Sequence, residues 1–266
     1  MKQRSAWERI TIARAQNRLK ALDLIPYLFD HFVELHGDRC YGDDRALVGG
    51  LASFEGQAVT VLAQSKGRNL EENLACNFGM LHPEGYRKAM RLARQAEKFK
   101  RPIITIIDTA GAYPGKEAEE RGQAEAIAQC LKLFSQIKVP VLALVLSEGG
   151  SGGALALSVA NKIYMFENAV YSILSPEGFA SILWKDETRA KEAAEIMECT
   201  ALDLSAKGFI DRIIEEAETG LESDPLFSIV QIKDAIREDL YQLGKMKLNV
   251  MLEQRYQKFR KLGSQL

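Results

Sequence analysis

Apolar and polar positions along the 266-residue chain fall into blocks whose period shifts between that of a helix and that of a strand. Residues 5–35 read as helical, with Pro26 opening a second segment, until the glycines at 37, 42, 49 and 50 break the pattern. Ala58-Val-Thr-Val-Leu-Ala63 reads as a buried strand, and Gly85 to Phe99 as a helix with Tyr86, Met90, Ala93 and Phe99 roughly on one side. The centre of the chain repeats one scheme twice. Pro102-Ile-Ile-Thr-Ile-Ile107 is short, apolar and β-branched, and it ends in the turn chemistry of Asp108-Thr-Ala-Gly-Ala-Tyr-Pro-Gly115. A helix follows, with Ala124, Ile127, Leu131 and Phe134 at helical spacing. Val139 to Leu146 is apolar again, Ser147-Glu-Gly-Gly-Ser-Gly-Gly153 is a glycine turn, and Ala154 to Ala160 continues as a helix. Lys162–Phe166 and Val170–Leu174 are further strand candidates.

Continuous apolar strands alternating with helices imply a sheet covered on both faces, hence the α/β class with parallel strands. After Gly208-Phe-Ile-Asp-Arg-Ile-Ile214, the positions Ile229, Ile232, Ile236, Leu240 and Leu243 mark a long amphipathic helix. The last helix either caps this domain or packs on another subunit. No linker divides the chain. The pattern predicts one domain over residues 1–266, with a core at about 30–215 and helical extensions at 1–29 and 226–266.

Composition is that of an ordinary globular protein, 47% hydrophobic and 27% charged. A net charge of -1 argues against nucleic acid as the main partner, because neutralising phosphates needs a basic excess. The charges are uneven. Met1 to Leu22 carries six basic residues against Glu8 alone; Gly85 to Arg101 carries seven (Arg87, Lys88, Arg91, Arg94, Lys98, Lys100, Arg101) against Glu97. Glu215, Glu216, Glu218, Glu222 and Asp224 form an acidic stretch. These read either as solvated faces or, for the second basic block, as a surface for an anionic partner or phosphorylated ligand. The four cysteines at 40, 76, 130 and 199 are far apart, which argues against a metal site in this chain and suits free thiols in a reducing cytoplasm. No window reaches the roughly 20 apolar residues of a membrane span. The Arg-rich start superficially resembles a transit peptide, but it lacks serine richness and reads as a helix.

Candidate chemistry centres on the glycine turns. Glycine lets a ligand approach backbone N–H groups, and the first N–H groups of a helix are unpaired and carry positive partial charge. Such a turn binds an anion or stabilises a developing oxyanion. Gly149, Gly150, Gly152 and Gly153 exceed what packing needs, whereas for Gly111 and Gly115 tight strand–helix packing explains the glycine equally well. Gly150-x-Gly152-x-x-Leu155 lacks the third glycine of a dinucleotide fingerprint, and no Gly-Lys-Ser or Gly-Lys-Thr forms a P-loop. Gly149-Gly-Ser151-Gly-Gly153 matches the nucleophile elbow G-x-S-x-G. That fold orders its triad Ser, acid, His, and His31, His36 and His82 all precede Ser151, which leaves only a Ser–Lys dyad with Lys162 or Lys185. A backbone-donor site without a nucleophile suits an enolate formed beside a thioester carbonyl.

Several strings carry a family resemblance: Arg121-Gly-Gln-Ala-Glu-Ala-Ile-Ala128 after the first turn, Glu148-Gly-Gly-Ser-Gly-Gly-Ala-Leu-Ala156, Ser175-Pro-Glu-Gly178 and Ala180-Ser-Ile-Leu-Trp-Lys185. Phe78-Gly-Met80, Pro83-Glu-Gly-Tyr-Arg-Lys88, Gly37-Asp-Arg39 and Val48-Gly-Gly50 add to them. Together they resemble the alpha subunits of bacterial acetyl-CoA carboxylase carboxyltransferase, over roughly residues 30–215. The resemblance implies a crotonase-like spiral of ββα units and a separate beta subunit that carries a zinc ribbon. It implies an α2β2 assembly that works with a biotin carboxylase and takes carboxybiotin from a biotin carboxyl carrier protein. The product is malonyl-CoA for fatty-acid synthesis, and the alpha chain mainly supplies the biotin side. It further implies N–H donors for the biotin ureido oxygen from Gly149, Gly150, Gly152 and Gly153 and, on the other turn, Gly111 and Ala112. Tyr113, Arg121, Gln123 and Ser151 lie beside the biotin on this reading, with Arg121 and Gln123 orienting the first turn or the ligand. Tyr113 and Trp184 also suit wall positions.

The chain departs from the family pattern at Ala110, where proline is expected, and at Ser147, where glycine is expected, and its N-terminus is short. Ala154 and Leu155 after the glycines speak against hydratase chemistry. A serine hydrolase using Ser151, a carboxyltransferase for another acyl-CoA such as propionyl-CoA, and a non-catalytic assembly subunit are the rival readings.

Overall fold

A computed structural model describes residues 4–262. Residues 1–3 of the basic N-terminal block and 263–266 of the C-terminal extension lie outside the described residues. The chain opens with helices α1 (Ala6–Ala13) and α2 (Ala21–Leu28), followed by strands β1 (Asp30–Glu34), β2 (Leu47–Phe54) and β3 (Gln57–Gln64). Helices α3 (Leu70–Ala75) and α4 (Pro83–Lys98) lead to β4 (Ile103–Thr109), then α5 (Lys116–Glu120), α6 (Gln123–Gln136), β5 (Val141–Gly150) and α7 (Ser151–Ser158). Next come β6 (Lys162–Phe166), β7 (Val170–Ser172), α8 (Pro176–Trp184), α9 (Ala190–Ile196), α10 (Ala201–Ala206) and β8 (Arg212–Ile214). Helices α11 (Pro225–Lys245) and α12 (Leu248–Lys261) close the chain.

The sheet order is β1-β2-β3-β4-β5-β6-β8, with β7 pairing β5. The α/β architecture is therefore built on a mixed sheet. The first two pairings are antiparallel, which corrects the purely parallel expectation, and every later pairing is parallel. Every residue of β4 is buried, as a strand covered on both faces requires.

Several sequence expectations change. Residues 30–34 form an edge strand rather than a helix, because α2 stops at Leu28 and Phe29 turns extended. Pro26 sits inside α2; the carbonyl it cannot serve belongs to Leu22, which is 40% exposed and open to water. Phe99 falls just past α4 and is exposed beneath the Arg101 guanidinium at 5.2 Å, rather than on the buried face. On α6 the buried face is Gln123, Ala126, Cys130 and Phe134; Ala124 faces out. The segment 147–150 is not a loop but the end of β5, because Gly149 and Gly150 pair with Tyr171 and Ser172 of β7. The last helix caps this domain. Arg255 of α12 is buried and donates to the carbonyls of Phe134, Ile137 and Val139 at 2.8–2.9 Å.

The charge blocks are largely spent internally. Lys88 is fully buried, with its Nζ 2.8 Å from Asp43 Oδ1 and donating to Leu47 O at 2.8 Å. Burial opposes ionisation of Asp43, yet Lys88 and the Gly37 amide hold its carboxyl down at about 2. Arg87 pairs with Asp38 at 2.7 Å, and Arg91 donates to Gly37 O at 2.9 Å. The front half of this block thus fastens the 36–44 loop instead of facing a ligand. In the acidic stretch, Glu216 is buried against Arg18.

Candidate functional site at the meeting of two turns

Strands β4 and β5 are neighbours, so parallel pairing brings their C-terminal ends together, with Thr109 opposite Gly149. The turn after β4 and the start of α7 therefore face each other. A Cβ on Gly150 would lie 2.0 Å from Ala110 O, and one on Gly153 would lie 2.4 Å from Gly111 C. Packing alone demands glycine at these two positions. At Gly149 a Cβ would lie 2.9 Å from the Tyr171 ring. Gly152 differs, because its nearest neighbour would be Ile127 Cγ2 at 3.6 Å, an ordinary contact. Packing does not explain that glycine.

Helix α7 has Gly150 as its N-cap and no side-chain cap, and Ser151 starts it in the left-handed region at φ 52°. Its first amides are left for another acceptor. In the opposite turn, Gly111 N–H donates to Thr109 Oγ1 at 3.1 Å and Tyr113 N–H to Leu81 O at 3.1 Å. Ala112 is the amide between them without a hydrogen-bond acceptor among the described residues. Gly152, at the uncapped start of α7, and Ala112, in the opposite turn, each offer an uncommitted amide.

Side chains beneath the first turn hold it. Gln123 is buried and donates through Nε2 to Leu81 O at 2.8 Å and Tyr113 O at 2.9 Å. Both donors are spent, so Gln123 orients the turn and has none left for a ligand. Arg121 pairs with Glu84 at 2.7 Å and lies 4.6 Å from the Tyr41 ring, again inside the protein fabric. The Tyr113 ring packs edge-on to His82 at 4.1 Å, and its hydroxyl bonds Glu117, which pushes its pKa up. Trp184 is half-buried under the Arg189 guanidinium at 3.9 Å.

Sequence reasoning missed the charged chain beside the second turn. Lys66, just past β3, places its Nζ 2.9 Å from Asp108 Oδ1 and 2.8 Å from Glu148 Oε2. Arg14, between α1 and α2, lies 2.7 Å from Glu148 and 2.7 Å from Glu177. Burial would raise the Glu148 pKa, but Lys66 and Arg14 outweigh it and hold the group at about 2. Burial would lower Lys66, and Asp108 and Glu148 raise it instead. Asp108 is fully buried, and its Oδ2 has no hydrogen-bond partner among the described residues. Arg18 donates from Nε to Ser147 Oγ at 3.0 Å and from Nη2 to Leu146 O at 2.8 Å, and pairs with both oxygens of Glu216. Ser147 thus has a bond that glycine would lack. Asp108 and Glu148 lie in the two glycine-turn segments that the sequence singles out; Lys66, Arg14 and Arg18 carry no local signal.

The Ser–Lys alternative finds no geometry. Lys162 pairs with Asp239 at 3.4 Å and is in register with Leu142, the length of β5, roughly 25 Å, away from Ser151. Lys185 caps α8 in an exposed position. Ser151 itself is exposed and forms no hydrogen bond with a Lys or His among the described residues. No three His, Cys, Asp or Glu residues gather to hold a metal among the described residues, and no helix there is long and apolar enough to cross a membrane.

A family profile described as acetyl co-enzyme A carboxylase carboxyltransferase-like matches residues 1–263. An acetyl-coenzyme A carboxylase carboxyl transferase subunit alpha from Clostridium acetobutylicum is 54% identical over 261 residues, covering 97% of this chain and 94% of the relative. Its counterpart from Streptococcus gordonii is 55% identical over 249 residues, covering 94% of this chain and 96% of the relative. Among solved structures, transcarboxylase 12S aligns with a TM-score of 0.66 at 20% identity over 92% of this chain; the chain spans only 43% of that protein's length. A Pseudomonas malonate decarboxylase hetero-tetramer chain aligns at TM-score 0.64 and 19% identity, covering 85% of this chain and 93% of that one. These two likenesses show the crotonase-like fold.

Proposed function

The chain belongs to the acetyl co-enzyme A carboxylase carboxyltransferase family as an alpha subunit, and from that premise we propose that the Ala112 and Gly152 amides stabilise negative charge on a biotin ureido oxygen while a carboxyl group passes to acetyl-CoA. The product is malonyl-CoA, the committed intermediate of fatty-acid synthesis. The observation that carries this reading is the uncapped start of α7 at Gly152, a glycine that packing does not require, on a turn packed through Gly150 and Gly153 against the turn that holds the uncommitted amide of Ala112. Two preorganised donors aimed at one oxygen are the structural form of oxyanion stabilisation, and losing one costs about 2.7–4 kcal/mol of barrier. Biotin, when bound, supplies the carboxyl group and the nitrogen that carries it, so no side-chain base is required of this chain. Gly150 and Gly153 shape the site by letting the turns close on each other, and Gly149 leaves room for the Tyr171 ring. Tyr113 and Ser151 form its rim.

The chain works as one subunit of a multisubunit enzyme, as a single unit over residues 1–266. The partners are a zinc-ribbon beta subunit that supplies the acyl-CoA side, a biotin carboxyl carrier protein and a biotin carboxylase, in a cytoplasmic α2β2 assembly. The exposed apolar side chains Ile173, Ile182 and Leu183, 56–76% exposed beside the site, support a protein partner on that face. Carboxyl exchange between malonyl-CoA and biocytin tests the reading. Activity is expected only when this chain is mixed with a beta subunit; a stable complex without exchange would overturn it, and preference for methylmalonyl-CoA would reassign the acyl group to propionyl.

A further inference from the structure

The back half of the basic block, unlike the front, meets no acid of its own chain. Arg94, Lys98, Lys100 and Lys138 are exposed and Arg101 is half-buried, and none of the five has a carboxylate within ion-pair reach among the described residues. Glu97, the one acid of that stretch, accepts the Lys138 backbone N–H at 2.8 Å. Phe99 stands among these cations, 58% exposed, with Arg101 5.2 Å and Lys98 5.8 Å from its ring. The acidic stretch has the opposite character. Glu215, Glu218, Glu222 and Asp224 are exposed and have no cation within ion-pair reach among the described residues. Leu226, Phe227 and Val230 beside them are 44–58% exposed. Glu215, Glu218 and Phe227 also line a cavity of about 320 Å³, together with Arg4 and the buried Glu167. Glu167 Oε1 has no hydrogen-bond partner among the described residues; Arg9 and Arg4 stand off at 3.6 and 3.9 Å. Such a lining suits a cationic side chain, with carboxylates for its head and an aromatic wall for its methylenes.

Strand direction places the two patches at opposite ends of the sheet. Arg101 and Lys138 precede β4 and β5, whereas Glu215 follows β8, and β4, β5, β6 and β8 all run parallel. We propose that copies of this chain dock head to tail, with Phe99 and its flanking cations on one copy against the acidic cavity and Phe227 of the next. Each patch has an apolar centre ringed by charge of one sign, and the two signs are opposite, so the patches complement each other in both respects. Because they differ, the contact is heterologous and leaves one free end of each kind, so it adds copies instead of closing a pair. A nucleic acid would account for the basic patch alone and leave the acidic cavity without a role. Exposed ion pairs are individually weak and screened by salt, which makes the contact reversible and salt-sensitive.

The test is sedimentation velocity on the chain assembled with its beta subunit. At about 0.02 M salt the average mass should climb with protein concentration, and at about 0.5 M, where screening is strong, it should fall to that of the single assembly. Lys98→Glu with Lys100→Glu should abolish the growth, and so should Glu215→Lys with Glu218→Lys. All four side chains are exposed, and melting temperatures near wild type check that the variants fold. Mixed together, the two variants should associate again, because one then carries two acidic ends and the other two basic ends. An average mass that ignores concentration at low salt, growth that survives either variant, a limit at two assemblies, or a mixture that stays apart would overturn the proposal.

Discussion

The two turns that meet at the site are held in opposite ways. The turn after β4 is held from below by side chains: Gln123 ties Leu81 and Tyr113, and Arg121 ties Glu84. The turn into α7 is held by the absence of side chains, with Gly150 and Gly153 against the neighbouring backbone, and by charges reaching in from Lys66, Arg14 and Arg18. A turn clamped by side chains loses its bonds one at a time when substituted. A turn defined by backbone contact has no intermediate state, because the first added carbon meets a carbonyl.

That contrast predicts its largest effect at Gly150. Gly150→Val drives side-chain atoms into Ala110 O and must push the turns apart, with exchange falling at least about hundredfold and stability by about 1–3 kcal/mol. Steady-state exchange and thermal melts of the assembled enzyme read both. Wild-type activity in this variant would mean that the turns need not touch.

Next comes Lys66→Met, which leaves Asp108 and Glu148 as neighbouring buried carboxylates without their shared cation. Breaking a buried ion network from one side costs about 3–5 kcal/mol. It also changes the pH dependence. The Glu148 pKa is depressed when folded, so its stabilisation is present above the ordinary value of 4.5 and is lost as pH falls toward about 2. The wild-type chain should lose stability across that acid window, by roughly 3 kcal/mol from this group. In the variant that acid-window loss should shrink, because the folded Glu148 then titrates nearer its unfolded value. Melting temperatures at pH 7 and pH 2.5 compare them.

The smallest of the three is Gln123→Ala. Two carbonyls lose their donor, at a cost of about 1–3 kcal/mol in stability. Because the amide ties the turn and not a ligand, kcat should fall while the KM values for biocytin and malonyl-CoA stay close to wild type. A raised biocytin KM with unchanged kcat would return Gln123 to the ligand.

Much of the fold is legible in the sequence. β4 is an unbroken β-branched run bounded by turn residues, and α11 repeats at helical spacing, so period alone places them. The strings around the two glycine turns point to the family, and the turns themselves suggest the backbone-donor site proposed above. What stayed hidden depends on strand order. Lys66, Asp108, Glu148 and Arg14 come from four separate segments, and only the pairing of β3, β4 and β5 brings the first three together. The distinction among glycines was hidden as well, since Gly150 and Gly152 look alike until the backbone opposite each is known. Residues 30–34 misled because Phe32 and Val33 follow a helix without a break that sequence spacing alone can detect.

The most direct test exchanges one backbone N–H for an oxygen and leaves every side chain in place. Replacing Gly152 by its α-hydroxy acid exchanges the amide N–H for an ester oxygen, while Gly152→Ala keeps the N–H and adds a carbon where the nearest atom lies 3.6 Å away. Malonyl-CoA to biocytin exchange, with the beta subunit present, should fall by about 10²–10³ in the ester and by no more than a few-fold in the alanine variant. Full activity in the ester would contradict the claim that this amide carries the developing charge.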